Sequence, residues 1–439
     1  MFDLPKFGRG ISLARVDALL DACGVDRARL AARSIVVTGS NGKGSTCAFL
    51  SHIAMRAGLR VGTFTSPHLL RINERFRLDW CEIGDDAMQA LARDVSAEVR
   101  ALEGRFCHGT FGAFEAQFVA AALWFQRRDA DLCVFEAGIG GRLDATRLVR
   151  ASVTVLASID LEHTALLGSQ LDLIALDKSD ACAAGGTIVH GENLLPLQEL
   201  LSTYVRLRDI RPLFIGRDAE VSDVQIGPLH MRFSLHTSFM DFTDLVTPLQ
   251  GRFQAGNAAC AALALGAWLS RSHHAVTPAM FEKALRDGLA ATQWPGRLET
   301  IAHDPLVVID VGHSPDAIEQ AANGLFEAFG HENWLLVAGV SADKNATYML
   351  AILKARFPFI LCTQAHHKGR DAQEVAGLLR DLPGEAEIDV EPDIAAAAQR
   401  SVDIARERGL RIFVAGGLFA AVEFAQALRG KEPRALQFL

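Results

Sequence analysis

The chain has 439 residues, 50% of them hydrophobic and 22% charged, and it carries a formal net charge of −8. This length and composition predict a globular protein of two domains. The acidic balance argues against a nucleic-acid binder, although it does not exclude a local basic groove. The polar segment 1–10 predicts no signal peptide, and no run of about 18 apolar residues predicts a membrane span. The scattered cysteines contain no C-x-x-C pair, which is typical of reduced core cysteines in a cytoplasmic protein.

The first part of the chain alternates short apolar strands with longer helical patterns. Strands are predicted at residues 34–38, 59–64, 132–135 and 153–157, and a helix is predicted at residues 45–57. This alternation predicts an α/β fold in which helices cover both faces of a mostly parallel sheet.

The pattern changes over residues 215–248 to the alternating apolar and polar residues of antiparallel strands. We expect this segment to extend the first domain, and a helix to follow at residues 254–271. A second α/β series then places strands at 306–310, 334–339, 359–362 and 411–416. Pro-Gly pairs are typical of turns. Pro295-Gly296 therefore predicts a domain boundary, with one domain at 1–294 and the other at 295–439.

A glycine-rich loop, Gly39-Ser40-Asn41-Gly42-Lys43-Gly44-Ser45-Thr46, joins the first predicted strand to the first predicted helix. Glycines let the backbone fold around phosphate oxygens, and amide groups at a helix start point towards an anion. Lys43 can reach β- and γ-phosphates there, and the Ser45 hydroxyl can ligate Mg²⁺. The spacing departs from the strict P-loop, because the first glycine is too close to Gly42 and Gly44 separates Lys43 from Ser45. A plain structural turn would need neither the lysine nor the hydroxyls, so the loop predicts a nucleotide site.

Three further side chains follow predicted strands or lie on a predicted helix. Glu136 stands at the carboxyl end of a parallel strand, where ligands bind, and its carboxylate suits Mg²⁺, although it could also cap a helix. His163 follows the next strand, but imidazole is not a preferred ligand of Mg²⁺, so its chemistry alone favours a structural role. Lys178 by itself has the pattern of a solvated helix lysine.

Together these segments resemble the folylpolyglutamate synthase/dihydrofolate synthase family of the Mur ligase superfamily, over nearly the whole chain. The family's G-T-N-G-K-G-S, S-P-H-L and E-x-G-x-G-G-R-L-D-A-T segments are matched at 39–45, 66–69 and 136–146. Later matches, in order, are Gln254 with Asn257, Pro295-Gly296-Arg297, Asp310 with His313 and Pro315, and Ala342-Asp343-Lys344. The resemblance implies a P-loop, parallel-sheet Mur-ligase central domain and a smaller Rossmann-like α/β C-terminal domain.

The resemblance also implies an activity: an ATP-dependent ligase of folate biosynthesis that adds L-glutamate to dihydropteroate or a folate through an acyl phosphate. It would be a cytoplasmic monomer with no nucleic-acid or membrane partner. The implied ATP-binding residues are Gly39, Ser40, Asn41, Gly42, Lys43, Gly44, Ser45, Thr46, Asn257 at the adenine, Arg297 at the phosphates and Asp310 at the ribose. The implied ligands of two Mg²⁺ ions are Ser45, Glu136, His163 and a carbamylated Lys178. The implied catalytic residues are Lys43, His163, Lys178 and His313.

The departures from the family pattern cluster near the substrates. The aspartate and tryptophan of D-H-T-D-W-L-G are missing at 162–168, and Gly417 replaces a serine expected near the amino-acid substrate. They motivate a second hypothesis, a ligase that couples an amino acid to a non-folate carboxylic acid in specialised metabolism. A third hypothesis, an ATP-binding regulatory protein without ligase activity, would need a broken phosphate loop or a lost metal ligand. A P-loop GTPase would need an N-K-x-D segment, which is missing from the expected place.

Overall fold

The structure, a computed structural model, describes residues 4–5, 12–106, 109–161, 168–342, 346–436 and 438. Its strands form an eight-stranded, a three-stranded and a six-stranded sheet. Among the described helices none is long and apolar enough to cross a membrane. The cysteines within the described residues are all free thiols.

The eight-stranded sheet comes from the first part of the chain. Its strands are β1 (Ser34–Thr38), β2 (Val61–Phe64), β3 (Phe76–Leu78), β4 (Cys81–Glu82), β5 (Leu132–Glu136), β6 (Val153–Leu156), β7 (Thr187–His190) and β8 (Arg211–Phe214). They lie in the order β4-β3-β2-β5-β1-β6-β7-β8, with β3 and β4 antiparallel and the other pairs parallel. The predicted strands are confirmed, with shifts only at their ends, and so is the mostly parallel sheet.

Helices pack on both faces of this sheet. They are α1 (Leu13–Ala22), α2 (Arg27–Ala32), α3 (Lys43–Arg56), α4 (Asp85–Leu102), α5 (Ala113–Arg127), α6 (Leu171–Ser179) and α7 (Gln198–Arg206). Successive side chains of a strand point to opposite faces. Ile35 and Val37 of β1 therefore share a core with Phe49 of α3, whereas Val36 shares a core with Phe118 of α5.

The β-rich segment forms a sheet of its own rather than further strands of the larger sheet. Strands β9 (Ala219–Ile226), β10 (Met231–Thr237) and β11 (Asp241–Thr247) make an antiparallel meander, with β10 in the centre. Phe233 and Leu245 join the core that also contains Val37, so the meander packs with the first part of the chain. Helices α8 (Arg252–Leu269) and α9 (Pro278–Ala291) follow, and α8 confirms the predicted helix.

The six-stranded sheet comes from the last part of the chain. Its strands are β12 (Glu299–His303), β13 (Leu306–Ile309), β14 (Trp334–Ala338), β15 (Phe359–Gln364), β16 (Glu387–Asp393) and β17 (Arg411–Ala415). The order is β12-β13-β17-β14-β15-β16, with β12 antiparallel to β13 and the remaining pairs parallel. The second predicted α/β series is therefore confirmed.

Two helical layers cover this second sheet. The layer with α10 (Pro315–Phe329), α11 (Ala346–Lys354) and α12 (Ala372–Asp381) shares a core with Val308 and Leu336. The opposite layer has α13 (Ile394–Arg408) and α14 (Leu418–Leu428). Short 3₁₀ segments lie at Ile72–Arg75, Ala145–Val149, Glu192–Leu197 and Pro433–Ala435.

Candidate active site

The glycine-rich loop joins the end of β1 to the start of α3, as predicted. Gly42 is the N-cap of α3 and has a φ of 81°, a left-handed conformation that favours glycine. A Cβ atom on Gly42 would also stand 2.4 Å from Oδ1 of Asn257. The first amide groups of a helix have no partner inside it, so those of Lys43, Gly44 and Ser45 are available to an anion at the loop.

The carboxyl end of the neighbouring strand β6 fastens this loop. The Asn41 amide donates to Oγ of Ser158 (2.8 Å), and that hydroxyl donates back to the Asn41 carbonyl (2.9 Å). The Ser40 amide donates to the Ser158 carbonyl (3.0 Å), and the Asp160 amide donates to Oγ of Ser40 (2.9 Å). Because paired hydrogen bonds fix both backbone and side chains, the loop is held in shape before any ligand binds.

The Lys43 side chain folds back over the loop. Its Nζ donates to the carbonyls of Gly39 (2.7 Å) and Ser40 (3.1 Å), which places an ammonium at the loop. The Thr46 hydroxyl donates to the Gly42 carbonyl (2.9 Å), so it is engaged within α3, whereas Ser45 is buried in the first turn. The loop therefore presents one cation beside several amide donors, an arrangement suited to phosphate groups.

Glu136 lies at the end of β5, opposite Val37 of β1. Its side chain is only 4% exposed, and Oε2 accepts the Ser66 amide at 2.8 Å. Burial raises the pKa of this carboxyl to about 7, and the charges of Lys43 and Arg297 and the Ser66 amide oppose that rise. A buried carboxylate beside cationic groups is a candidate metal ligand, since a bound cation would keep it ionised.

The segment after Glu136 connects this strand end to helix α6. The Gly140 carbonyl accepts the Thr38 hydroxyl (2.8 Å), and the Gly141 amide donates to Oδ2 of Asp177 (3.1 Å). Lys178 follows Asp177 and is 1% exposed. The interpretation of Lys178 as a solvated lysine, based on local pattern alone, was therefore wrong, because α6 packs this side chain into the protein.

Asp310, which directly follows β13, and Arg297, which precedes β12, come from the last part of the chain. Asp310 is 1% exposed and accepts the amides of Leu298 (3.1 Å) and Gly312 (2.7 Å), while a guanidinium nitrogen of Arg297 lies 3.8 Å from its Oδ1. Burial raises the pKa of Asp310, and the Arg297 charge and the two amides oppose this rise. Asp310 therefore ties the backbone at Leu298, next to Arg297, to the segment that follows β13.

Asn257 contacts the glycine-rich loop, and His313 lies in the segment that leads into α10. Asn257 lies on α8 against Gly42, and its Nδ2 donates to Oε1 of Gln254 (3.0 Å). His313 is exposed in the segment between β13 and α10, and its Nδ1 lies 3.3 Å from the Val311 carbonyl. Asn257 thus reaches the glycine-rich loop from a helix that is far from it in the sequence.

Some of the implied site lies outside the described residues. His163, in 162–167, and the matches at Asp343 and Lys344 belong to segments that the structure does not describe. Their roles stay predictions. Within the described residues no group of three or more His, Cys, Asp and Glu side chains could hold a metal ion.

Two residues of the site were missed at the level of sequence, Ser158 and Asp316. Ser158 directly follows a predicted strand, so a small polar residue at a strand's carboxyl end was the available signal. Asp316 has no such signal in its neighbouring residues. Its carboxylate accepts a hydrogen bond from Nδ2 of Asn41 (3.0 Å), which lies 275 positions earlier in the sequence. Only the tertiary structure could reveal that contact.

Comparison with known proteins agrees with this geometry. Residues 296–418 match the family described as Mur ligase, glutamate ligase domain. A folylpolyglutamate synthase of Lacticaseibacillus casei is 33% identical over 80% of this chain and 81% of its own length. A dihydrofolate synthase/folylpolyglutamate synthase of Bacillus subtilis is 31% identical over 80% of each. A solved structure described as an FPGS-AMPPCP-folate complex superposes with a TM-score of 0.83 at 28% identity, covering 97% of both chains.

Proposed function

The chain belongs to the folylpolyglutamate synthase/dihydrofolate synthase family, and from this premise we propose that it is an ATP-dependent ligase that joins L-glutamate to dihydropteroate or a folate. The observation that carries the proposal is the meeting of a phosphate loop, a buried carboxylate and an arginine of the second sheet at one place. Relatives named for folate substrates favour this acceptor over the non-folate carboxylic acid considered above.

The proposed reaction has two steps. A carboxylate oxygen of the acceptor attacks the γ-phosphorus of ATP, the bond to the bridging oxygen breaks, and ADP leaves an acyl phosphate behind. The glutamate amine then attacks the acyl carbon, a tetrahedral intermediate forms, and phosphate departs as the amide is made. Lys43 and the α3 amides would hold the phosphates, Arg297 would approach them from the second sheet, and His313 would face the amine.

The donors in the described residues fit Mg²⁺. Ser45 offers a buried hydroxyl and Glu136 a buried carboxylate, both oxygen ligands of the kind that Mg²⁺ prefers. Bound cations would neutralise charge on the transferring phosphoryl group. We propose Ser45, Glu136 and His163 as ligands, together with a carbamylated Lys178, whose side chain is buried. Carbon-13 NMR of the protein supplied with ¹³C-bicarbonate at neutral pH would detect the carbamate carbon.

The finer organisation is also proposed. We assign residues 1–294, with the meander at about 215–248, to an ATP-binding domain and residues 295–439 to an amino-acid-ligase domain. The match of residues 296–418 to a glutamate ligase domain supports this division and supports glutamate as the amine. We further propose a cytoplasmic monomer, which sedimentation of the purified chain would check.

ADP release by the purified protein with Mg-ATP tests the function. Dihydropteroate, tetrahydrofolate and a panel of other carboxylic acids would each be supplied with glutamate and then with other amino acids, and the products identified by mass. We expect turnover only with a pterin acceptor and glutamate. Turnover with another pair, and with no pterin, would overturn the assignment while leaving ligase chemistry intact.

A further inference from the structure

A single side-chain hydrogen bond joins the tip of the phosphate loop to the second part of the chain. Nδ2 of Asn41 donates to Oδ2 of Asp316, 3.0 Å away. Asp316 lies in the first turn of α10, three positions after His313. The contact therefore connects the loop that would hold ATP to the segment that carries the proposed amine-side histidine.

Both ends of this contact are held by other interactions. The Asn41 backbone is fixed by the two hydrogen bonds with the Ser158 hydroxyl, at 2.8 and 2.9 Å. At the other end, Asp316 follows the N-cap Ser314, whose Oγ accepts a hydrogen bond from the Ala317 amide (3.3 Å). Pro315 occupies the first position of the helix. A carboxylate in the first turn of a helix interacts favourably with the helix dipole, which stabilises Asp316 at this position.

The same helix makes further contacts with the first part of the chain. At Gly324 the backbone comes so close that a Cβ atom there would stand 3.1 Å from the Cα of Gly251. Glu327 pairs with Arg252 at 3.0 Å, although both side chains are well exposed. Helix α10 is thus a docking element between the two parts, and Asp316 is its contact nearest the phosphate loop.

We propose that Asp316 is a positioning residue for ligation: through Asn41 it sets the distance between the phosphate loop and the segment that carries His313. This inference rests on the proposed function. An amine held by one part must reach an acyl phosphate formed on the other, and small errors in such an approach are costly in rate. Asp316 need not touch either substrate to act in this way.

Three variants separate positioning from general stability. Asp316→Ala removes the acceptor, whereas Asp316→Asn keeps an amide oxygen that can still accept from Asn41. Glu319→Ala is the matched control, because Glu319 lies one turn further along α10 and pairs with Arg356 within the second part (2.8 Å). Thermal unfolding of all three would confirm that they fold.

Steady-state ligation gives the first measurement. We expect Asp316→Ala to lower kcat about tenfold, the size expected for one charge-assisted hydrogen bond, with the KM for ATP changed by no more than about twofold. Asp316→Asn should recover most of the lost kcat, and Glu319→Ala should match the wild type. An Asp316→Ala variant that behaves like Glu319→Ala, or an Asp316→Asn variant as slow as Asp316→Ala, would overturn the proposal.

A second measurement does not depend on the substrates. Amide hydrogen exchange over residues 39–42 should be faster in Asp316→Ala than in Glu319→Ala, because the loop loses its outer support. Unchanged exchange would also overturn the inference. If the wild type itself turned over no acceptor, the proposed function would fail, and the exchange result would still decide whether Asp316 supports the loop.

Discussion

The indole of Trp294 lies against the Cα of Gly44, so closely that a Cβ atom on Gly44 would stand 2.3 Å from Cζ2 of the ring. Trp294 precedes the Pro295-Gly296 turn, and Gly44 is in the first turn of α3. The Arg77 guanidinium lies 5.8 Å from the Trp294 ring centroid and 5.0 Å from that of Trp80, which adds cation–π contacts. The segment between the two sheets is thus packed directly on the phosphate loop.

We expect Gly44→Ala to lower the free energy of unfolding by about 1–3 kcal/mol, because the methyl group overpacks against the indole. Better helix propensity would offset about 1 kcal/mol of this loss. Denaturant unfolding measures the change. In a Trp294→Ala background the same substitution should be neutral or stabilising, and a loss that persisted there would contradict the steric explanation.

Replacing Lys43 tests the phosphate loop. Lys43→Met should lower kcat for ADP release at least about a hundredfold, since it removes the cation that the proposed reaction uses to stabilise the transferring phosphoryl group. Lys283→Met is a suitable control, because Lys283 forms an exposed pair with Asp287 on α9. Near-normal ADP release by Lys43→Met would mean that the loop does not serve the transferring phosphate.

The buried His190 should make stability depend on pH. Its ring stacks on Phe214 with centroids 4.3 Å apart, its Nδ1 lies 3.2 Å from the Leu213 carbonyl, and its buried Nε2 has no hydrogen-bond partner within the described structure. Burial lowers the pKa of His190 to about 4, against about 6.5 in an unfolded chain. Between those two values the unfolded state binds more protons than the folded state, so stability rises with pH across this window.

We therefore expect the His190 contribution to be complete above about pH 6.5 and to fall by roughly 3 kcal/mol as the pH drops towards 4. Urea unfolding at a series of pH values, comparing wild type with His190→Phe, isolates this contribution. His303→Gln serves as the control because His303 is exposed. A wild-type slope equal to that of His190→Phe would rule the explanation out.

Position 417, where glycine replaces the serine of the family pattern, should accept that serine. Gly417 is the N-cap of α14, and its φ of 166° is an extended conformation that any residue can adopt. A Cβ atom at this position would be 3.4 Å from Oγ of Ser341, which is an ordinary van der Waals contact. Gly417→Ser should fold and gain a few tenths of a kcal/mol from the new cap. We expect it to lower the KM for glutamate without changing the KM for ATP; an unchanged KM for glutamate would separate this position from amine binding.

Local sequence patterns were enough to predict the strand and the helix on either side of the glycine-rich loop. The apolar run of β1, the glycines and the free amides of α3 are properties of adjacent residues, so β1 lies where it was predicted and α3 begins two residues earlier than predicted. The same holds for Glu136, because a residue at the carboxyl end of a parallel strand points to the ligand-binding edge. The two α/β series could be predicted as well, because the apolar pattern of each strand and helix is a property of neighbouring residues.

How these elements meet depends on contacts between residues that are far apart in the sequence. The residues around Lys178 have the pattern of a solvated lysine, yet Lys178 is 1% exposed, because its burial depends on what packs over α6. The Asn41–Asp316 hydrogen bond spans 275 positions, and the Trp294–Gly44 contact joins segments that are almost as far apart in the sequence. Local periodicity reports which face of an element is apolar, but it carries no information about which distant surface will cover that face; only the folded packing of the two sheets settles it.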